Sequence, residues 1–295
     1  MKKFIFLPQK SQVLDKNIVR QIIKSALAED LGDGDHTSLS TIPKDAKGKA
    51  RLLVKEDGVI AGVDVAVEVC NEVDPDLNVE ILLKDGTEVK VGDVVLYVSG
   101  SVQSILVAER LLLNLMQRMS GIATTTHKIV KNLKGTGTKV LDTRKTTPNL
   151  RYLEKMAVKI GGGVNHRFGL YDMILIKDNH VDYAGGIENA VKAAQDYLKK
   201  ENRNLQIEVE VRNLEELRSV LAIGGIDRVL LDNFNFEDLK KAVAIVDKTV
   251  ATEASGNITP QNALDYAKCG VDYISMGALT HSVKGLDLSL KAVVG

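Results

Sequence analysis

Five successive candidate strand ends in the second half of this 295-residue chain carry side chains that can bind or move charge: Arg144 with Lys145, Lys177, Glu210, Asp232, and Glu253 with Ser255. One polar strand end is ordinary, because loops are solvated. Five in a row imply one shared site, since parallel strands wrapped by helices open their C-terminal ends onto a single face. The signs also separate. Segment 139–180 supplies Lys139, Arg144, Lys145, Arg151, Lys155, Lys159, Arg167 and Lys177 with His166 and His180, whereas the later ends bring Glu210, Asp232 and Glu253. Cations on one wall and carboxylates on the other suit an anionic substrate with hydroxyls, such as a phosphorylated sugar, or a bound divalent metal.

The loops extend this reading. GGGVNHR (Gly161 to Arg167) reads either as a helix stop or as a backbone that permits close approach. ASGNIT (Ala254 to Thr259) and MGALTHS (Met276 to Ser282) are small-residue turns leading into helices, the kind of segment whose free N–H groups bind phosphate. In barrels, phosphate sites fall after the last strands, where these two loops lie.

The elements that must hold these groups are legible as short, almost continuous apolar runs: TKVLDT (138–143), DMILIK (172–177), QIEVEV (206–211), DRVLLDN (227–233), TVATEA (249–254) and DYISMG (272–277). Such runs are expected of parallel strands covered on both faces. Asn213 with Glu216 predicts a capping box, Thr259-Pro260 an N-cap with proline at the first helical position, and Gly224 and Gly270 helix stops. A βα repeat of six strands predicts a barrel or a doubly wound sheet.

The first half has a different rhythm. Apolar residues from Ile18 to Leu27 predict a helix over 14–31, followed by a loop at EDLGDGDHTS (29–38). Segment 48–103 reads as short strands punctuated by Asp57-Gly58 and Asp85-Gly86, resembling the biotinyl and lipoyl carrier fold. A carrier displays its lysine in a special context that Lys55 and Lys84 lack, so a non-catalytic carrier module is disfavoured. Residues 104–133 predict a buried helix in which Arg110 must reach water, a neighbour such as Glu109 or Asn114, or an anion.

Composition bounds the class. Apolar content of 44% with 26% charged residues is that of a folded globular chain, and 39 basic residues balance 39 acidic ones. No global field points to nucleic acid or an anionic membrane. Cys70 and Cys269 fit neither a zinc pattern nor a disulfide framework. In MKKFIFLPQK the apolar run is cut by Pro8 and is too short for an export leader, and no run is long enough to span a bilayer. A cytoplasmic location is expected.

The blocks EDLGDGDHTS, AERLLLN, DTRKTTPNLR, GGGVNHRFGL, IKDNH, EVEV, LLDNF, EASGNIT and MGALTHS, in this order, resemble the quinolinate phosphoribosyltransferase family, also called nicotinate-nucleotide pyrophosphorylase (carboxylating). Small departures are Thr147 where leucine is common, Asn149 where glycine is common and Phe168 where methionine is common. The resemblance implies a β-rich, hammerhead-like N-terminal α/β sandwich over 1–118, joined by residues 284–295. It also implies an open (β/α) barrel of the type II phosphoribosyltransferase kind over 119–283. The implied reaction transfers the phosphoribosyl group of phosphoribosyl pyrophosphate to quinolinate with decarboxylation, giving nicotinate mononucleotide, pyrophosphate and CO2 in NAD biosynthesis. Magnesium accompanies the pyrophosphate, no organic cofactor is implied, and the chain forms a homodimer, sometimes assembled further.

Carried over by motif, Arg144, His166 and Arg167 would hold the pyridine dicarboxylate, with Thr143, Lys145 and Lys177 beside them. Arg110 would reach the site of the neighbouring subunit. Glu210 and Asp232 would face the ribose and the metal. Ser255, Gly256, Asn257, Met276, Gly277, Ala278 and His281 would hold phosphates. Lys145, Lys177, Glu210 and Asp232 are the expected catalytic groups. Two readings of the same fold stay open at this point: a paralogue found with molybdate transport, and a nicotinate phosphoribosyltransferase.

Overall fold

The computed structural model describes residues 14–293; the opening MKKFIFLPQK lies outside them. The described residues form two compact units, one running to Gly121 and resuming at Lys284, the other spanning Ile122–Val283.

In the first unit, α1 (Lys16–Leu31) starts where Asp15 accepts hydrogen bonds from the N–H groups of Asn17 and Ile18, and it stops at Gly32. The segment expected as loop is partly helical: Asp35 accepts from Ser38 N–H and caps a short α2 (His36–Thr41). Strands β1 (Lys47–Val54) and β2 (Gly58–Val59) follow, then α3 (Val63–Val73), which the strand-like reading of 48–103 missed. Its valines alternate like those of a strand. The helix wins because Val65, Ala66, Val69 and Cys70 all become buried and Asp85, 22 residues away, accepts the Val63 N–H at 2.8 Å. Local periodicity cannot see either contact. After β3 (Asn78–Ile81), β4 (Glu88–Val89) and β5 (Val94–Ser101), an antiparallel sheet is completed by the C-terminal strand Leu288–Ala292, in the order C-terminal strand, β1, β5, β3. Helix α4 (Val102–Asn132) then leads toward the second unit. None of the helices among the described residues is long and apolar enough to cross a membrane.

The second unit contains all six expected strands: β6 (Lys139–Leu141), β7 (Ile174–Ile176), β8 (Ile207–Val211), β9 (Arg228–Asp232), β10 (Ala251–Ser255) and β11 (Tyr273–Ser275). Every pairing is parallel and the order is β6-β11-β10-β9-β8-β7. That is a cyclic order cut once, between the first strand and the second, so the sheet is an open barrel rather than a doubly wound sheet. On the open side of β6, Val164 bridges to Leu141.

Helices α5 (Arg151–Ile160), α6 (Asp178–Tyr183), α7 (Ile187–Lys200), α8 (Leu214–Ile223), α9 (Phe236–Val246), α10 (Ala263–Lys268) and α11 (Ala278–His281) separate the strands. Asn213 caps α8 as expected, but Glu216 turns to Arg212 instead of completing a capping box. Thr259-Pro260 opens a turn, and α10 begins only at Ala263. There the Asn262 side chain ties back to Thr259 N–H and to the Asn257 carbonyl, which delays the helix.

Candidate active site

Strand alternation builds the site. Leu175 and Lys177, Leu230 and Asp232, Glu253 and Ser255, and Ser275 and Gly277 are each two residues apart, and all line one cavity of about 790 Å³ at the C-terminal strand ends. Glu210 lines it too, while Val209 and Val211 on the opposite face are fully buried in the apolar layer. A period of two thus delivers one polar layer from five strands. The same rule removes Met276 from the expected set: lying between Ser275 and Gly277, it points into the core with 1% of its surface exposed.

The cationic wall comes from the loops after β6 and α5. Thr143, Arg144 and Lys145 line the cavity with His166 and Arg167. Thr143 Oγ1 accepts from Lys145 N–H, and Thr280 Oγ1 donates to the Lys145 carbonyl, so hydroxyls set this turn. Arg151 does not reach the cavity. It clamps the two loops together by donating to Thr146 Oγ1, to the Arg144 carbonyl and to the Phe168 carbonyl. Asn149 has φ of 65°, a left-handed conformation that favours glycine and admits asparagine. Thr147 donates its N–H and hydroxyl to Glu154, which holds the start of α5.

Asp142, fully buried, accepts from Lys155, from Asn165 and from His166 N–H. The Asp142–Lys155 pair is therefore internal wiring that seats the GGGVNHR loop. The glycines there serve packing: a Cβ on Gly161 would lie 2.5 Å from the Ala123 carbonyl oxygen of α4. In IKDNH, His180 Nδ1 accepts the Lys177 N–H at 2.9 Å and so aims the Lys177 side chain instead of facing the cavity itself.

Glu210 and Asp232 form the acidic wall. Lys177 Nζ lies 3.5 Å from Glu210 Oε2. Burial and the neighbouring Asp232 charge raise the Glu210 pKa above the usual carboxylate range, and Lys177 opposes that rise. On the cationic wall, burial and then the Arg144 charge lower the pKa of Arg167. Among the described residues, neither Arg144 nor Arg167 has a carboxylate within 4.0 Å; the Arg167 guanidinium donates to the Met173 carbonyl at 3.3 Å and feels the Glu208 and Asp172 charges from farther away.

The remaining rim is Ser255, Gly256, Asn257, Gly277, Ala278 and His281. Gly256 combines φ of 92° with a position where a Cβ would sit 2.2 Å from Asn233 Oδ1, so only glycine fits. Asn233 also accepts from Asn257 Nδ2 and donates to Asp232, which links the acidic wall to this loop. Arg110 is exposed on α4, in the other unit, and does not line the cavity.

At the cavity floor His166 and Glu253 join a buried charge network with Glu208 and Arg228, the two members that sequence reasoning missed. His166 Nε2 is 2.9 Å from Glu208 Oε2 and 3.5 Å from Glu253 Oε2, and Arg228 Nη1 is 2.8 Å from Glu253 Oε2. Arg228 also stacks over the Tyr273 ring at 4.6 Å. The signal was present in IEVEV: two acids at alternate positions of a doubly covered strand must share its polar face. His166, Glu208 and Glu253 bring donor atoms within 4.8 Å of one another, close enough for a metal. The Arg228 guanidinium already supplies the cation there, and an ion pair accounts for the arrangement.

His166 is drawn two ways. Burial opposes its cation, but Glu253 and Glu208 outweigh that and push its pKa up to about 9. Yet Arg167 N–H donates to Nδ1 at 2.7 Å, which requires a lone pair on that nitrogen. The bond is the more specific demand, because a proton on Nδ1 would oppose that N–H head-on.

Comparison with known proteins adds an independent line. The family model for the quinolinate phosphoribosyl transferase C-terminal domain matches residues 122–291, and that for the N-terminal domain matches residues 35–120. A chloroplastic nicotinate-nucleotide pyrophosphorylase [carboxylating] of Arabidopsis thaliana is 48% identical over 288 residues, covering 92% of this chain and 82% of that protein. A probable nicotinate-nucleotide pyrophosphorylase of Bacillus subtilis is 40% identical over 272 residues, covering 92% of each chain. The solved nicotinate-nucleotide pyrophosphorylase of Francisella tularensis superposes with a TM-score of 0.89 at 42% identity, covering 95% of this chain and 98% of that one.

Proposed function

Because the chain belongs to the quinolinate phosphoribosyl transferase family and is a decarboxylating pentosyltransferase that makes nicotinate mononucleotide from quinolinate and phosphoribosyl pyrophosphate, we propose that this reaction runs in the cavity at the C-terminal ends of β6–β11. The observation that carries the assignment is the pair Arg144 and Arg167, two guanidiniums on one wall with no carboxylate of their own among the described residues. Planar guanidinium is well shaped for a carboxylate, and two of them match the two adjacent carboxylates of quinolinate.

Lys145 and Lys177 complete the cationic wall. Glu210 and Asp232 bind the ribose hydroxyls and offset the positive charge that grows on the ribosyl ring as pyrophosphate leaves. The loops Ser255–Asn257 and Gly277–His281 hold phosphate groups. The pyridine nitrogen attacks in line behind the departing pyrophosphate, so much of the acceleration is positioning. The carboxylate next to the quaternised nitrogen then leaves as CO2, because that nitrogen stabilises the carbanion. Lys145 and Lys177, which line the same cavity, are the candidates to return a proton to carbon.

A divalent ion fits the acidic wall. Glu210 and Asp232 are hard oxygen donors on adjacent strands, and burial, with the Asp232 charge adding to it, raises the Glu210 pKa. Magnesium would be held there together with the substrate pyrophosphate, whose leaving charge it would neutralise. We also assign a homodimer in which Arg110 enters the neighbouring site, since the cation stands exposed on α4 while the cavity lies in the other unit. A reducing compartment such as the cytoplasm suits Cys70 and Cys269, both free and buried; burial pushes the Cys70 thiol up to about 12.

The test supplies quinolinate labelled at its 2-carboxylate with phosphoribosyl pyrophosphate and magnesium. Labelled CO2 should appear in step with nicotinate mononucleotide. Equal turnover of nicotinate, which needs only one carboxylate clamp, would favour the single-carboxylate reading.

A further inference from the structure

We propose that Asn233 is a positioning residue for the phosphoribosyl half of the site: its amide ties the Asp232 carboxylate to the Ser255–Asn257 loop and holds the two in one fixed relation. The inference rests on the reading that this acid and this loop receive phosphoribosyl pyrophosphate. It adds a residue to which that reading gives no role, although Asn233 lines the cavity.

The direction of the hydrogen bonds carries the argument. Asn233 follows Asp232 at the end of β9, and its backbone N–H donates to the Ser255 carbonyl at 2.9 Å. Its Nδ2 donates to Asp232 Oδ2 at 2.7 Å, and its Oδ1 accepts from Asn257 Nδ2 at 3.0 Å. A carboxylate can only accept, so the Asp232 contact fixes which end of the Asn233 amide is nitrogen. The oxygen then faces Asn257, which presents its own nitrogen. The result is a directed chain that ends on a charge, and bonds to a charged acceptor are the stronger kind. Asn257 is braced in turn, because Asn262 Nδ2 donates to its carbonyl at 3.1 Å.

Backbone shape shows what position 233 supplies. Asn233 has φ of 55°, in the left-handed region that glycine enters without steric cost. Glycine would make the turn but neither amide bond; a side chain with both a donor and an acceptor makes all three connections. Gly256 completes the fit, since a Cβ there would lie 2.6 Å from Asn233 Cγ and the amide rests directly on the loop backbone. None of these bonds involves the cationic wall, whose turn is held by Thr143, Thr280 and Arg151. Loss of the Asn233 amide should therefore reach one substrate and spare the other.

The test compares the full chain with Asn233→Gly, which keeps the turn and removes both amide bonds. Affinity is read for each substrate by calorimetry with magnesium and, in turnover, as KM. The variant should hold phosphoribosyl pyrophosphate about tenfold or more weakly, with quinolinate affinity within about twofold and the melting temperature within a few degrees. In an Asp232→Ala background the same change should cost clearly less, because one of its bonds is already gone. With 15N-labelled asparagine and no substrate, the Asn257 side-chain NH2 signal, identified by its loss in Asn257→Ala, should move in Asn233→Gly. Unchanged affinity for phosphoribosyl pyrophosphate, equal losses for the two substrates, an undiminished cost beside Asp232→Ala or an unmoved Asn257 signal would each overturn the proposal. If the Gly variant does not fold, Asn233→Asp, which keeps the size and loses the donor, takes its place with the same selective loss expected. A wild-type protein that takes no phosphoribosyl pyrophosphate would sink the functional reading instead, and the substrate-free Asn257 signal would still decide the link.

Discussion

Arg144 and Arg167 line the same wall of one cavity, and burial together with the Arg144 charge lowers the pKa of Arg167. Two cations on one wall repel unless an anion joins them. Arg144→Ala should therefore weaken quinolinate binding by about 2–5 kcal/mol, tens-fold to thousands-fold, as read by calorimetry. A change below about twofold would mean that Arg144 only decorates a turn.

Chelating divalent ions should stop turnover, and added Mg2+ should restore it. Glu210→Gln should raise the Mg2+ concentration needed for half-maximal activity by about tenfold or more, because a neutral amide is a weaker ligand than a carboxylate. An unchanged Mg2+ requirement in that variant would remove Glu210 from the metal's surroundings.

Arg110 is tested by complementation. Subunits inactivated by Arg110→Ala, mixed with subunits inactivated by Lys177→Ala, should regain part of the wild-type rate, because a mixed dimer assembles one site with both residues intact. No recovery despite proven subunit exchange would confine Arg110 to its own chain.

Arg228 neutralises two buried carboxylates, lying 2.8 Å from Glu253 and 4.0 Å from Glu208. Arg228→Met leaves those charges without it, and should cost about 3–5 kcal/mol, a fall of roughly 6–20 °C in melting temperature. Arg228→Lys, which keeps a cation, should lose less. Equal losses in the two variants would mean that packing on Tyr273, rather than charge, is what Arg228 provides.

Asp85 gives a pH dependence. Burial, with Asp64 nearby, raises its pKa to about 6 against the Val63 and Gly62 N–H bonds that lower it. The folded state thus prefers the protonated acid, so the carboxylate's penalty is absent below about pH 4, grows as pH rises, and is complete above about pH 6. Asp85→Asn removes the charge yet keeps an oxygen for the Val63 N–H. It should melt above the wild type at pH 7.5 and match it near pH 4. A variant less stable than the wild type at pH 7.5 would show that the charged cap outweighs its desolvation.

Much of the catalytic half could be read from the chain because its signals are local. Six apolar runs marked six strands, and a period of two forced Lys177, Glu210, Asp232 and Ser255 onto one face once the sheet was parallel. The failures arose where a distant contact decides. α3 was hidden because its cap, Asp85, and its packing partners lie far along the chain. Thr259-Pro260 looked like a helix start, but Asn262 ties the turn back and delays α10 by three residues. Met276 followed the motif rather than the pleat and lies in the core.

By itself the sequence determined the chemistry available: which cations and acids stand at strand ends, and that they are sorted along the chain although the net charge is zero. Only the tertiary structure decided which of them are free to act. Lys155, Arg151 and His180 belong to the same basic segment as Arg144 and Arg167, yet they are spent on Asp142, loop carbonyls and the Lys177 backbone. Glu208 reads no differently from Glu210 in IEVEV, and depth in the barrel alone separates them. A charge keeps its capacity for a ligand where the fold leaves it facing the cavity, and that is set by three-dimensional neighbours rather than by neighbours in the chain.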